Sequence, residues 1–307
     1  MEKNWDVIII GGGPAGLAAA IYCGRALRKT LVLEKKVFGG QIVFADIIEN
    51  YPGFAEPIVP ADLMEQMAKQ SERYGVVLEN DEVQGLRREG DGWLVDVYQN
   101  TYTAKAILYA AGSVHRFLGV PGEQELLGRG VSVCATCDAP FFQERKVAVL
   151  GGGDTALSEA LHLAKFASEV SLVHRRDQFR AEKILQERVF KNDKIKVIWD
   201  SEVLAFKGAQ RLEALEIRNK KTGLVESRVF DGAFLAIGTT PNTELLKGFV
   251  KLDENGYVVS DISLRTESKG LYIAGEVIKG NRRQVAISVG MGVQAALGCE
   301  EYLAALD

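Results

Sequence analysis

Cys134 and Cys137 bracket Ala135-Thr136 and are followed at once by Asp138. Two thiols at this spacing can cycle between dithiol and disulfide. One thiolate attacks a disulfide and the other resolves the mixed disulfide. The arrangement can lower the pKa of one member, and Asp138 is placed to move the protons involved. Half of a zinc site and a buried packing pair are the other readings. Zinc takes four ligands, yet the chain has no second Cys-x-x-Cys and its histidines, His115, His162 and His174, are scattered. No metal is therefore expected. Cys23 and Cys299 stand singly in small-residue contexts and read as packing residues. Phe141-Phe142, just beyond the dithiol, reads as core or as a docking surface for a protein disulfide.

A glycine-rich signal follows the dithiol. The apolar run Val147-Ala148-Val149-Leu150 leads into Gly151-Gly152-Gly153-Asp154-Thr155-Ala156. The same unit opens the chain. Asp6–Ile10 reads as a strand, Gly11-Gly12-Gly13-Pro14-Ala15-Gly16 as a loop, Leu17–Leu27 as a helix and Thr30–Leu33 as a second strand ending at Glu34. A carboxylate ~20 residues beyond a Gly-x-Gly-x-x-Gly turn is the pattern of a dinucleotide site. Gly11 permits the turn, Gly13 lets a pyrophosphate approach the backbone, and Gly16 lets the helix pack on the strand. Amides at the helix N-terminus then face the phosphates.

The two copies differ at one informative position. Thr30-Leu31-Val32-Leu33-Glu34 aligns with Ser171-Leu172-Val173-His174-Arg175, the second copy having one extra helical residue. A carboxylate accepts from a free ribose hydroxyl and repels a 2′-phosphate, whereas an arginine fork suits phosphate. Arg176 and Arg180 lie close enough in sequence to share that anion. The first copy is expected to bind a dinucleotide without a 2′-phosphate and the second to bind NADP(H), with His174 as a supporting contact. The plainer alternative is that the arginines form a solvated face.

The surrounding elements must hold these parts. A length of 307 residues suits about two domains. The strand Ala106–Gly112 ends on small residues, and a similar apolar strand, Gly270–Glu276, ends at a glycine and an acid and is followed by Arg283-Gln284 and a small-residue helix, Val285–Leu303. Strand-like stretches at Lys196–Trp199, Leu212–Ile217 and Gly232–Ile237 lie between them. The expected fold is α/β, with two Rossmann-like, three-layer ββα nucleotide-binding domains, the second inserted into the first. The expected segments are 1–115 and 244–307 for the first domain and 116–243 for the second, with hinges at Ser113–Phe117 and Thr240–Thr243. The composition is 47% hydrophobic and 25% charged with a net charge of −4, which gives no reason to expect nucleic acid or an anionic membrane as partner. Apolar runs fall short of the ~20 residues that a bilayer requires. Four cysteines and an N-terminus running straight into a strand point to a reducing, cytoplasmic setting.

Taken together, the chain resembles the low-molecular-weight thioredoxin reductases along essentially its whole length. The motifs that carry the likeness are Gly11–Gly16, Gly39-Gly40-Gln41, Glu49-Asn50-Tyr51-Pro52-Gly53, Cys134–Asp138, Gly151–Ala156, His174-Arg175-Arg176 with Arg180, and Arg283-Gln284. The resemblance implies FAD in the discontinuous domain, and NADPH with the dithiol in the inserted one. It implies that Cys137 takes electrons from the flavin, that Cys134 attacks thioredoxin, and that Asp138 is the acid/base. By the same likeness Gly40, Gln41, Asn50, Gly112, Gly275, Arg283, Gln284 and Ala286 contact FAD. Glu276 departs from the family pattern, which has Asp; its extra methylene changes how it reaches the flavin side chain. The resemblance further implies a homodimer whose inserted domain rotates. It gives no reason to expect a fused thioredoxin-like domain or a trailing redox pair. Rival readings are the same chemistry on a glutaredoxin-like or peroxidase-linked dithiol carrier, or a redox-sensing flavoprotein of low turnover.

Overall fold

The computed structural model describes residues 3–44, 48 and 50–306; the side chains of Phe44 and Cys137 are not among the described parts. The chain divides into two compact units, 1–114 with 240–307, and 115–239. The second is thus inserted into the first.

The first unit is built on a 7-stranded sheet. Its parallel strands run in the order Val77–Glu79, Thr30–Leu33, Asn4–Ile10, Thr101–Tyr109. The long strand Thr101–Tyr109 serves two neighbours on one edge. Its first half pairs antiparallel with Gly92–Asp96, and its second half pairs parallel with Leu271–Ile273. The β-branched run Val7–Ile10 is buried on both faces, as a central parallel strand must be. The helix after it, Pro14–Arg25, begins three residues earlier than the expected Leu17. Pro14 explains this: its fixed φ suits the first helical turn, where its missing N–H costs nothing. The helix N-terminus therefore abuts the glycine loop. The closing helix is Val285–Ala304. Among the described residues, no helix is long and apolar enough to cross a membrane.

The second unit has three layers. Its 5-stranded parallel sheet has the order Ile195–Ile198, Glu169–Val173, Lys146–Leu150, Gly232–Leu235, Val131–Ser132. Side chains alternate across this sheet. Val147 and Val149 pack with Leu157 and Ala160 of the helix Asp154–Leu163. Ala148 and Leu150 pack with Leu215 and Ile217 on the opposite face. Those two belong to an antiparallel layer of Ser201–Lys207, Ala214–Asn219 and Val225–Val229. The sequence pattern brings out only the middle strand of that layer. The first carries a register break between Val203 and Ala205, and the third is largely exposed, so neither alternates cleanly.

Candidate active site and nucleotide sites

In the first loop, Gly11 N–H donates to the Leu33 carbonyl at 2.8 Å and Gly12 N–H to Glu34 Oε2 at 2.8 Å. The second oxygen, Oε1, accepts from Lys36 N–H at 2.9 Å. The carboxylate is thereby fixed at the end of its strand. Each oxygen keeps a second lone pair for a ribose hydroxyl. Helix Pro14–Arg25 is N-capped by Gly13 without a side-chain hydrogen bond, which leaves amides for a phosphate. Beside the loop is a cavity of ≈ 470 Å³ lined by Gly11, Glu34, Lys35, Asp81, Glu82, Tyr109, Asn242 and Glu244, among others. Its acidic lining disfavours an extra phosphate on the ribose, and the fixed carboxylate suits the diol of an adenosine half such as that of FAD.

In the second loop, Gly151 N–H donates to the Val173 carbonyl at 3.1 Å, and Gly153 caps helix Asp154–Leu163, again without a side-chain bond. Asp154 Oδ1 accepts from Glu182 N–H at 2.7 Å, and Arg180 N–H donates to the Gly152 carbonyl at 2.9 Å. These bonds draw the segment carrying Arg175, Arg176 and Arg180 back to the loop. All three arginines are exposed, and none has a carboxylate partner among the described residues. Three unneutralised guanidinium groups fit a 2′-phosphate. His174 is buried beneath them with its Nε2 3.1 Å from the Gln178 carbonyl. Burial lowers its pKa, and repulsion from Arg176 and Arg180 adds to this against the Gln178 bond. Its ring fills the space behind Gly152, where an added Cβ would meet it at 2.3 Å.

Cys134 is partly buried and disulfide-bonded, while the Cys137 side chain lies outside the described residues. Cys134 N–H donates to Ser132 Oγ at 3.0 Å. The helical turn Ala135–Asp138 follows, and Asp138 N–H reaches the Cys134 carbonyl at 3.2 Å. Asp138 is partly buried. Phe142 stacks edge-on against Phe234 at 5.2 Å, whereas Phe141 is 80% exposed. Phe142 is thus core, and Phe141 lies at the surface. Cys23 and Cys299 are buried and unbonded; burial pushes the Cys23 thiol up to about 12 and Cys299 well above its ordinary value. Such thiols are inert packing groups.

Glu159 is a group the sequence reading passed over. Burial pushes its carboxyl up to about 8, against the opposing hydrogen bond from Ala135 N–H. Its Oε2 is buried with no hydrogen-bond partner among the described residues. Glu159 thus props the residue next to Cys134, and no sequence signal distinguishes it from a solvated helical glutamate.

The residues expected around the flavin sit on several loops of the first unit. Gly40 and Gln41 lie in the turn Gly40–Phe44, and Gln41 Nε2 donates to the Ser113 carbonyl. Asn50 Nδ2 donates to Gln284 Oε1 at 3.0 Å; Glu49 of the same motif lies outside the described residues. Gln284 caps helix Val285–Ala304, and Ala286 is in its first turn. Arg283 adopts a φ of 53°, and its guanidinium reaches the Tyr257 hydroxyl at 3.4 Å. The Gly112 carbonyl accepts from Asn242 N–H at 3.0 Å. Gly275 and Glu276 form the turn after strand Leu271–Ile273, and Ser113 Oγ donates to Glu276 Oε2 at 2.5 Å.

The pattern of the pyridine nucleotide-disulphide oxidoreductases matches residues 5–292. The chain is 46% identical over 310 residues to a thioredoxin reductase of Streptomyces coelicolor, spanning 100% of this chain and 96% of that protein. It is 43% identical over 305 residues to a bifunctional thioredoxin reductase/thioredoxin of Mycobacterium leprae, covering 99% of this chain and 67% of that protein. The crystal structure of Lactococcus lactis thioredoxin reductase matches with a TM-score of 0.83 at 40% identity, over 98% of this chain and 99% of that one. The chain therefore belongs to the pyridine nucleotide-disulphide oxidoreductase family, among its low-molecular-weight thioredoxin reductases, and its cofactors are FAD and NADPH.

Proposed function

We propose that this protein is an NADPH-dependent thioredoxin reductase, with FAD held by segments 1–115 and 244–307 and with NADPH and the dithiol held by 116–243. The observation that carries this reading is the disulfide-bonded Cys134, in a Cys-x-x-Cys-Asp sequence just before the Gly151–Ala156 loop, together with Arg175, Arg176 and Arg180, which have no carboxylate partner among the described residues. Bound in these sites, NADPH would supply a hydride and FAD would supply the route by which its two electrons reach the disulfide.

The chain's own residues do the rest. Glu34 and the Gly11–Gly16 amides bind the FAD adenosine and pyrophosphate, and Gly40, Gln41, Asn50, Gly112, Gly275, Glu276, Arg283, Gln284 and Ala286 surround its flavin end. Gly151, Gly153, Asp154, Thr155 and Ala156 cradle the NADPH pyrophosphate, with Arg175, Arg176 and Arg180 on its 2′-phosphate. In the reduced enzyme the Cys134 thiolate attacks a thioredoxin disulfide, forming a mixed disulfide, and one thioredoxin sulfur leaves, taking a proton from Asp138. Asp138, now a carboxylate, takes the Cys137 proton, and the Cys137 thiolate attacks Cys134. This expels the second thioredoxin sulfur and restores the Cys134–Cys137 disulfide.

The relative that joins a thioredoxin reductase to a thioredoxin in its name favours thioredoxin over another dithiol carrier. Family likeness also supports a cytoplasmic homodimer, which sedimentation can test for its subunit number. The deciding assay follows NADPH oxidation with oxidised thioredoxin and, separately, with a glutaredoxin. Turnover with thioredoxin at a clearly higher kcat/KM supports the reading. The reverse order, or no turnover with either, contradicts it.

A further inference from the structure

Glu276 stands where the family resemblance expects Asp, and its partner is a residue that no sequence motif marks. Ser113 is 2% exposed, and its hydroxyl donates to Glu276 Oε2 at 2.5 Å. The Ser113 carbonyl in turn accepts from Gln41 Nε2. The segment just before it is pinned by Asn242, whose N–H reaches the Gly112 carbonyl at 3.0 Å and whose Nδ2 reaches the Ala111 carbonyl at 2.8 Å. Tyr109 closes this set, its hydroxyl donating to the Asn242 carbonyl at 2.9 Å. Ser113 is thus a fixed point bonded to two of the residues assigned to the flavin side. Glu276 Oε1 has no hydrogen-bond partner among the described residues, and so remains open to a ligand hydroxyl.

We propose that Ser113 is a positioning residue for flavin binding: it holds one oxygen of Glu276 so that the other is presented to a hydroxyl of the flavin's polyol chain. A glutamate has one more rotatable bond than an aspartate and loses more freedom when it is immobilised on a ligand. A charge-assisted bond to a buried, pinned serine restricts that side chain before the ligand arrives. The longer acid is thereby compatible with a site that otherwise takes the shorter one. This rests on the reading of Glu276 as a flavin contact.

The test is a double-mutant cycle on FAD affinity, with apoprotein titrated with FAD and followed by flavin fluorescence, alongside the apoprotein Tm. Ser113→Ala should weaken FAD binding about tenfold, the order of one charge-assisted hydrogen bond, with little change in apoprotein Tm. Glu276→Ala should weaken it at least as much. The double variant should bind FAD no worse than Glu276→Ala alone, because the serine acts only through the glutamate. Ser113→Ala binding FAD within twofold of the parent, while Glu276→Ala is impaired, would overturn the positioning role alone. Fully additive losses would overturn it equally. Unchanged affinity in Glu276→Ala would instead remove the flavin contact on which the proposal stands.

Discussion

In the first glycine-rich loop, Gly12 is bonded to Glu34, and a side chain at Gly12 would come within 2.5 Å of the Phe38 ring. In the second, a side chain at Gly152 would come within 2.3 Å of the buried His174 ring, while Arg175, in the place of Glu34, stands exposed. The helix starts differ too. A Cβ on Gly16 would lie 1.8 Å from the Gly11 carbonyl oxygen, whereas the second copy accommodates Ala156 there, fully buried. Both loops turn a strand into a helix N-terminus capped by a glycine without a side-chain bond, and that shared geometry serves any pyrophosphate. What separates them is the charge at the end of the next strand. Acids line the first site, whereas the segment after the second strand carries three exposed arginines with no carboxylate partner among the described residues. A backbone motif fixes the class of ligand, and a few side chains at its margin choose among its members.

The second unit also carries the dithiol, and removing it should have the largest effect. Cys134→Ser should abolish thioredoxin reduction while both loops stay loaded. FAD content and NADPH-driven reduction of a small-molecule electron acceptor should survive, which a ferricyanide assay checks. Next, Arg175→Ala and Arg180→Ala should each lower the NADPH-over-NADH preference on the order of tenfold, the scale of one charge-assisted phosphate contact. The loss should fall chiefly on KM, with FAD occupancy unchanged. Glu34→Gln should act on the other loop only. It should weaken FAD binding about threefold to tenfold and leave KM for NADPH as it was, and a fall in NADPH preference would break the division between the loops.

The smallest effect concerns Glu159, which, counted from the first glycine of the loop, stands where the first helix has Ala19. Burial raises its folded pKa from the ordinary 4.5 to about 8. Between these values the folded state holds a proton that the unfolded state has lost. Stability should therefore decline as pH rises from about 4.5 to about 8. Glu159→Gln removes this slope, so its Tm should exceed the parent's by a few degrees at pH 8 and approach it near pH 5. Parallel Tm–pH curves would show that the buried carboxyl carries no such cost.

The two strand–loop–helix units were legible because their signals are local: a β-branched run, glycines at fixed offsets, and an acid or arginine at the next strand end. The likeness of Thr30–Glu34 to Ser171–Arg175 needed only an alignment of the chain with itself. Ser113, Asn242 and Asp81 were not legible. Ser113 and Asn242 gain their roles by meeting residues distant in sequence, Glu276 and Gly112, and Asp81 by lining a cavity that the fold assembles. Asn242 also bears on where the chain returns to the first unit. Its two bonds to Ala111 and Gly112 draw it into that unit, whose second segment begins at Thr240. The strands Ser201–Lys207 and Val225–Val229 escaped notice because a register break and an exposed edge hide the alternation that marks a strand.

The division of labour between the loops is tested most directly by kcat/KM of the unaltered enzyme with NADPH and with NADH, each measured with oxidised thioredoxin as acceptor. The exposed Arg175, Arg176 and Arg180 predict a preference for NADPH of roughly tenfold or more. Equal values for the two nucleotides would contradict the assignment of the second loop to a 2′-phosphate.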